Sequence, residues 1–322
     1  VVLSIVKNVK KETCQKNLCL AGGVALNCVT NGLILKEQIF ENIWVQPAAG
    51  DAGGSLGSAL AVYYDMLKND RLVIPKNDTM KGSYLGVEFS KMQIQEDLEE
   101  LNAVYKKIPM SNLVNIVAKK ISEGKIIGWM NGRMEFGPRA LGNRSILADP
   151  RDNNMQKKLN LRIKYRESFR PFAPSVMKEN LSEWFSIKST TPYMLFTSQI
   201  SKKVKINNSK EAKGLQKLKL QISKLPAVTH VDYSARVQSV DKEINPVFHS
   251  LLEEFKKLTG CPMLINTSFN IRGEPIVASP KDAYECFMGT DMDMLVIGNY
   301  LLIKEEQPEN QKKGYRDKFS LD

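Results

Sequence analysis

The feature that most constrains the fold is a strand, glycine turn and helix pattern that occurs twice near the N terminus. A short apolar run at 17–20 ends in Gly22-Gly23 and opens a helix, and a second run at 43–45 ends in a glycine-rich turn at 50–54 and opens another. Strands that give way to helices in this manner are typical of an α/β layer, in which ligands bind at the strand ends. We therefore expect part of a ligand site in this region.

Periodicity divides the chain into four segments. Residues 1–70 carry the α/β pattern, 71–81 are predicted as a polar linker, and 306–322 are predicted as a flexible tail because few apolar residues occur there. In 82–305, short apolar runs alternate with helical periods, which indicates an α+β or mixed-sheet domain. Helices are predicted near 91–101, 112–123, 153–163, 246–259 and 280–288, and strands at 125–130, 145–148, 174–177, 193–197, 227–231, 262–266, 292–297 and 300–303.

The cysteine and histidine content narrows the class of protein. Five cysteines form no Cys-x-x-Cys pair, and only two histidines are present, which argues against a disulfide framework or a zinc knuckle and favours a reducing compartment. Cytoplasmic location is therefore expected. No stretch approaches the roughly 20 apolar residues that cross a bilayer, so no membrane partner is expected. The apolar residues at 1–11 have no capping residue before them, and the chain is expected to begin inside a domain.

The formal net charge of +11 is distributed unevenly. The lysines are scattered, with one dense run at 202–224 that is predicted as a mobile insertion, whereas seven of the 11 arginines lie between Arg133 and Arg170. Arginine presents a rigid fork of donors that suits phosphate and carboxylate oxygens. The arginine cluster therefore predicts an anion site.

Two arginines of this cluster lie in a constrained segment, Glu135–Arg144. Glycines at 137 and 142 permit turns and proline stiffens the first of them, so Arg139 and Arg144 are presented from a fixed backbone. This favours an anion clamp. The alternative is a surface turn in which these arginines pair with Glu135 or Asp149.

A second group follows at Lys164, Arg166 and Arg170. In an extended segment these side chains would share one face, where three cations repel each other unless a polyphosphate lies between them. The alternative is a solvated edge strand. A third group, Asn266, Ser268 and Asn270, ends an apolar strand and could bind a ligand, or could be an ordinary strand-to-turn junction.

Seven ordered segments together resemble the NodU/CmcH-type O-carbamoyltransferases, over nearly the whole chain. They are GGVALN at 22–27, GDAGGSLGSA at 50–59, EFGPRALGNRSILADPR at 135–151, Lys-x-Arg at 164–166, FRPFAPSV at 169–176, AR-x-Q at 235–238 and NTSFN-x-RGEPIV at 266–277. The resemblance implies a fragment of an actin-like ATPase (ASKHA) α/β domain followed by a YrdC-like twisted mixed-sheet domain. It implies that the pairs Lys164/Arg166 and Ser268/Asn270 are the YrdC-like hallmark.

The resemblance also implies chemistry in two steps. The YrdC-like domain would form carbamoyl adenylate from carbamoyl phosphate and ATP with Mg²⁺, and the actin-like domain would transfer the carbamoyl group to a hydroxyl of a small acceptor. It implies catalytic roles for Arg139, Lys164, Arg170 and Arg236, and nucleotide or cofactor contacts for Arg144, Arg166, Asn266, Ser268, Asn270, Gly22, Gly23 and Asn27. It implies Asp51 as one ligand of iron or another divalent metal in a complete actin-like domain. Because the histidine ligands of that family have no counterpart here, this chain alone is expected to lack the transfer step.

Two other functions remain open at this point. The basic composition fits an RNA-binding module, although the lysine run at 202–224 lacks the interleaved aromatic residues of such surfaces, so nucleic acid is the less favoured partner. A threonylcarbamoyl adenylate synthase, which uses threonine and bicarbonate, is the enzymatic alternative. The arginine-rich segment at 135–170 and the attached α/β unit favour the carbamoyltransferase.

Overall fold

The computed structural model describes residues 1–73, 78–206, 221–308 and 315–319, and its fold is mixed α/β. The helices are α1 (Val2–Thr13), α2 (Cys28–Lys36), α3 (Ala52–Ala61), α4 (Lys91–Glu100), α5 (Met110–Ser122), α6 (Met155–Arg162), α7 (Leu181–Trp184), α8 (Pro246–Thr259) and α9 (Pro280–Met288). The strands are β1 (Asn17–Leu20), β2 (Asn42–Val45), β3 (Lys106–Lys107), β4 (Ile127–Met130), β5 (Arg144–Ala148), β6 (Ala173–Met177), β7 (Phe196–Gln199), β8 (Ser234–Val240), β9 (Met263–Ser268), β10 (Met294–Ile297) and β11 (Tyr300–Ile303). None of the helices in these ranges combines the length and apolarity needed to span a lipid bilayer.

The two strand, turn and helix units predicted near the N terminus are confirmed. β1 and β2 pair in parallel, with Leu20 opposite Val45, and α2 lies between them in the chain. α2 begins where it does because Asn27 Oδ1 accepts a hydrogen bond from Thr30 N at 3.1 Å. This unit has a small core of its own formed by Val6, Ile34 and Phe40.

The rest of the chain is built on a nine-stranded sheet in the order β3-β11-β10-β4-β5-β9-β6-β8-β7. The pairs β10/β4 and β6/β8 are parallel and the other pairs are antiparallel, so the sheet is mixed. Every residue of β4, β5 and β6 is buried, as expected of strands covered on both faces. α8 packs against β6 and β9, and α9 packs against β4 and β10.

Local sequence signals define both of these helices. Asn245 Oδ1 accepts a hydrogen bond from Phe248 N, Pro246 occupies the first turn of α8, and Gly260 ends the helix with a left-handed backbone at φ 73°. At α9, Ser279 and Asp282 form a reciprocal capping box. The helices predicted from 246 and 280 are confirmed.

The predicted strand at 227–231 is wrong. Those residues enter a turn in which the carboxylate of Asp232 accepts hydrogen bonds from the backbone and the hydroxyl of Ser234, at 3.0 and 2.6 Å. Tyr233 adopts a left-handed backbone, φ 63°, which an extended strand cannot contain. The strand therefore starts at Ser234, and the one predicted at 193–197 is displaced to Phe196–Gln199.

Several predicted segments fall wholly or partly outside the described ranges. These are residues 74–77 of the predicted linker and 207–220 of the lysine run. For the predicted flexible tail, the described part 315–319 differs from expectation, because Tyr315 is buried and its hydroxyl contacts Glu274. An aromatic ring in an otherwise polar segment supplied the apolar surface that the overall composition did not indicate.

Candidate active site

A cleft with a volume of about 1200 Å³ lies between α2 and one edge of the large sheet. Its wall combines residues of α2 with residues of β7, β8 and β9 and of the loops before β5 and β6. Six of the site residues predicted from sequence line it, namely Arg139, Arg166, Arg170, Arg236, Asn266 and Ser268. The structure thus brings together side chains from four distant stretches of chain.

Arg139 is presented by a rigid loop. The buried carboxylate of Glu135 accepts hydrogen bonds from Leu141 N at 2.6 Å and Asn143 N at 2.9 Å, which ties both ends of the loop together. Gly137 has φ 138°, and an added Cβ would lie 2.9 Å from the carbonyl oxygen of Pro47. The predicted need for glycine is therefore real, since the loop packs directly against the N-terminal unit.

Burial also affects the pKa of Arg139. It lowers the pKa of this guanidinium, and the Nε atom is buried without a hydrogen-bond partner among the described residues. Nη2 donates only a long hydrogen bond, 3.4 Å, to the carbonyl of Leu26. A buried donor of this kind costs free energy unless a ligand accepts from it.

Arg236 lies on β8 beside this group. Burial lowers its pKa to about 10, the positive charge of Arg139 adds to the effect, and a hydrogen bond with the side chain of Cys28 opposes it. Arg166 contributes further repulsion. Because β8 pairs in antiparallel fashion with β7, with Arg236 opposite Thr197, Arg236 is held on a regular strand and not on a loop.

Arg166 and Arg170 occupy another part of the wall. Arg166 Nε donates to Asn160 Oδ1 at 2.7 Å, and its guanidinium lies 5.0 Å from the ring centroid of Phe172. Burial lowers the pKa of Arg166, with repulsion from Arg170 as the next cause. Arg170 is more exposed and pairs with Glu167 at 2.9 Å.

Lys164 does not share a face with these arginines, as an extended segment would have required. Residues 163–170 form turns, and Tyr165 has a left-handed backbone at φ 46° that sends Lys164 inward. Its Nζ donates to the carbonyl oxygens of Ser268 at 2.6 Å and Asn270 at 2.8 Å, and contacts Asn270 Oδ1 at 2.8 Å. Lys164 therefore lies behind Ser268 and not in the cleft wall.

The surroundings of Lys164 change its proton affinity. Burial lowers its pKa to about 7, while the nearby Cys286 and Glu274 oppose this and Arg166 adds to it. The three oxygen contacts given above, together with Ser268 Oγ at 3.3 Å, favour the protonated ammonium. The group is thus close to the boundary between its two charge states at neutral pH.

Asn266 forms a polar group with two residues to which the sequence did not assign a role, Ser175 and Gln238. Asn266 Nδ2 donates to Ser175 Oγ at 2.9 Å, to Gln238 Oε1 at 3.0 Å and to the carbonyl of Ala140 at 3.2 Å. These three acceptors fix the amide, and its Oδ1 is a buried acceptor with no partner among the described residues. Polar residues inside the strand runs FRPFAPSV and AR-x-Q were the available signal for Ser175 and Gln238, because buried strand positions rarely hold polar groups without a purpose.

Arg144, predicted to contact the nucleotide, is not part of the cleft. Its side chain is fully buried and donates to backbone carbonyls. The accepting residues are Asn131, Gly132, Asn143, Val87 and Ala278, at 3.0 to 3.5 Å. Burial lowers its pKa to about 10, with the charge of Glu135 opposing. Arg144 ties β5 to three neighbouring loops, a role that composition could not separate from anion binding.

The predicted residues of the N-terminal unit also lie outside the cleft wall. Asn27 caps α2, and a Cβ added to Gly22 or Gly23 would meet nothing within 4 Å. Asp51 is exposed at the start of α3. In the described ranges no group of three or more potential metal-ligating side chains is present around it or elsewhere.

The cleft as a whole is arranged to bind an anion. Within the described residues, no carboxylate lies at salt-bridge distance from Arg139, Arg166 or Arg236. Burial, together with the charges of Arg139 and Arg166, lowers the pKa of Arg236, and three half-buried guanidinium groups gathered in this way are expected to bind phosphate oxygens strongly. Asn266 Oδ1 adds an acceptor for an N–H donor beside them.

Comparison with known families shows the family of the chain. The family described as Carbamoyltransferase C-terminus matches residues 118–304, which include all six cleft residues, and Carbamoyltransferase N-terminus matches residues 1–60. The chain belongs to the carbamoyltransferase family. A relative, Nodulation protein NolO of Bradyrhizobium diazoefficiens, is 40% identical over 310 residues, which cover 94% of this chain and 52% of the relative.

Two other relatives show the same pattern of coverage. Nodulation protein U of Rhizobium tropici is 31% identical across 95% of this chain and 47% of its own length. An uncharacterized protein of Synechocystis sp. is 50% identical across 100% of this chain and 53% of its own length. The chain therefore spans about half the length of these curated relatives. Among solved structures, full-length HypF in a phosphate- and nucleotide-bound form overlaps 62% of this chain and 21% of its own, with 20% identity and a TM-score of 0.36.

Proposed function

We propose that this member of the carbamoyltransferase family forms carbamoyl adenylate in the arginine-lined cleft, for transfer to a hydroxyl group of a small acceptor. Water would split carbamoyl phosphate into carbamate and inorganic phosphate. A carbamate oxygen would then attack the α-phosphorus of ATP, the bond to the β-phosphate would break, and pyrophosphate would leave. We further propose that the two parts of this mixed α/β fold are an actin-like and a YrdC-like unit.

The observation that carries the proposal is the set of guanidinium groups of Arg139, Arg166 and Arg236, none of which forms a salt bridge with a described carboxylate. In phosphoryl transfer, charge accumulates on the phosphoryl oxygens, so fixed cations supply most of the stabilisation. Arg139 Nε, a buried donor without a partner among the described residues, is suited to one such oxygen. Mg²⁺ that arrives with ATP would supply further positive charge at the triphosphate.

Asn266 is suited to the second substrate. Its Oδ1 is an acceptor that the protein leaves unpartnered within the described ranges, and a carbamoyl group carries N–H donors. Ser175 and Gln238 hold the amide in the orientation that presents this oxygen. We assign Asn266 to the carbamoyl nitrogen, and Ser268, at the cleft edge, to the nucleotide or carbamate oxygens.

We assign Lys164 a positioning role in place of direct contact. It holds the carbonyls of Ser268 and Asn270, and its charge would act on the bound anion from behind Ser268. Arg170, paired with Glu167 at the rim, is assigned to carbamoyl phosphate. Arg144 receives no ligand in this scheme.

The transfer step is proposed only for a chain that supplies more ligands than this one. Gly22, Gly23, Asn27 and Asp51 are the proposed contributions of the N-terminal unit to an adenylate and metal site. With Asp51 as a single exposed carboxylate, the described residues do not fit a bound iron or other divalent metal, and no step is assigned to one.

The test is pyrophosphate release from ATP, carbamoyl phosphate and Mg²⁺. Lys164→Ala and Arg139→Ala should abolish it, whereas Arg133→Ala, which removes an exposed arginine that pairs with Glu88, should leave it unchanged. Release that persists in both Lys164→Ala and Arg139→Ala would refute the site. Release that requires threonine and bicarbonate in place of carbamoyl phosphate would identify a threonylcarbamoyl adenylate synthase.

A further inference from the structure

The C-terminal segment 315–319 contacts the turn Lys164-Tyr165-Arg166 by two routes. Tyr315 is buried against Gly289, where an added Cβ would lie 2.2 Å from the Tyr315 ring. Its neighbour Arg316 lies with the guanidinium carbon 5.0 Å from the ring centroid of Tyr165. Adjacent residues of this segment therefore contact Gly289 and Tyr165.

The first route runs through Glu274 to Lys164. The hydroxyl of Tyr315 donates to Glu274 Oε1, and the other carboxylate oxygen accepts from Ile271 N at 2.7 Å. The carbonyl of Glu274 accepts from Asn270 Nδ2 at 2.6 Å, and both oxygens of Asn270 accept from Lys164 Nζ. Every link in this series is a direct hydrogen bond.

The second route acts on Tyr165 itself. Its left-handed backbone, φ 46°, is rare for an aromatic residue and persists only where surrounding contacts enforce it. Two such contacts are visible. The Tyr165 hydroxyl donates to the carbonyl of Gly289 at 3.3 Å, and the guanidinium of Arg316 lies over the Tyr165 ring. This backbone conformation is what separates inward Lys164 from cleft-lining Arg166.

We propose that the segment 315–319 is a positioning element for adenylate formation, with Tyr315 and Arg316 as positioning residues that hold the turn at 164–166. This inference rests on the proposed function for its catalytic consequence, and on contacts alone for its structural one. A surface tether would require only apolar packing. Here the Tyr315 hydroxyl donates a hydrogen bond to the buried carboxylate of Glu274, which also accepts from Ile271 N. Residues 270–274 are ordered by these contacts, and Asn270 accepts hydrogen bonds from Lys164.

The experiment compares Tyr315→Phe and Arg316→Ala with Asp317→Asn, a change at an exposed position of the same segment. Two readouts are taken: kcat and KM for pyrophosphate release, and amide hydrogen exchange of 164–166, where Lys164 N and Arg166 N donate to Leu159 O and Asn160 O at 2.9 and 3.0 Å. Tyr315→Phe should lower kcat about tenfold with little change in the KM for ATP, since small misplacement of a positioned group mainly affects the reacting geometry. Exchange at 164–166 should accelerate in both variants and stay unchanged in Asp317→Asn.

The two readouts separate the two proposals. If the unmodified chain releases no pyrophosphate, the proposed function fails, and hydrogen exchange alone decides the positioning role. Exchange at 164–166 that matches the unmodified chain in both variants overturns that role. Acceleration that is equal at 164–166 and in the remote helix α5 also overturns it, because the segment would then stabilise the domain in general.

Discussion

Arg236 and Arg139 share one cleft, and burial together with the positive charge of Arg139 lowers the pKa of Arg236 to about 10. Like charges held at this proximity oppose folding of the free protein. A polyphosphate between them would remove the repulsion, so the arrangement stores binding free energy for an anion.

Replacement of Arg236 should separate stability from binding. Arg236→Met removes a repelled charge, so the free energy of unfolding should stay within about 1 kcal/mol of the original value or rise, while the affinity for ATP falls at least about tenfold. Urea unfolding and calorimetric titration measure the two quantities. Unaltered ATP affinity would show that the cleft does not hold the triphosphate.

Arg144→Met should lower the stability of the protein and leave its affinity for ATP unchanged. It leaves backbone carbonyls without donors, so the free energy of unfolding should fall by about 3 kcal/mol, while ATP affinity of the folded fraction is kept. Arg133→Met, at an exposed position, is the matched control and should change stability by less than about 0.5 kcal/mol. A loss of ATP affinity in Arg144→Met at low temperature, where it is folded, would return Arg144 to the binding site.

Lys164 should make stability depend on pH. Its folded pKa, about 7, lies below the ordinary value of 10.5, so between these values the unfolded chain holds a proton that the folded chain lacks. Stability should therefore rise with pH above 7, by up to about 1.4 kcal/mol per unit. Urea unfolding at pH 7.5 and 9 should show this slope in the original chain and a smaller one in Lys164→Met. Equal slopes would mean that folded Lys164 stays charged throughout the range.

Cys28 offers a chemical probe of the cleft. It lines the wall and is half-buried beside Arg236, whereas Cys14 is exposed elsewhere and Cys261 is buried. Alkylation by N-ethylmaleimide, followed by peptide mass spectrometry, should be slowed by ATP at Cys28 and unaffected at Cys14. Equal rates with and without ATP at Cys28 would place the nucleotide away from α2.

Local signals allowed much of the scaffold to be predicted. The glycine turns before α2 and α3 and the capping residues Asn245 and Ser279 act within a few residues of themselves, so sequence alone contains their effect. Arg139 and Arg166 are singled out by residue type, and both line the cleft, while anion binding by them stays a prediction. These predictions depended on short-range physics and on residue type.

The failures concern tertiary contacts. Sequence spacing placed Lys164 beside Arg166, but the left-handed Tyr165 reverses that relation, and the contacts that enforce it come from Gly289 and Arg316. Arg144 and Arg139 are equivalent in composition, and only the carbonyls around Arg144 distinguish them. No strand forms at 227–231, because the carboxylate of Asp232 accepts a hydrogen bond from the backbone of Ser234 and so stabilises a turn.

The close packing of Gly137 on the carbonyl of Pro47 joins the two parts of the chain. Pro47 precedes Asp51 and α3, whereas Gly137 begins the loop that carries Arg139. Gly137 has no side chain that could separate these two backbones or absorb a movement of one against the other. A displacement of the Pro47 carbonyl is therefore expected to move the start of the loop that carries Arg139.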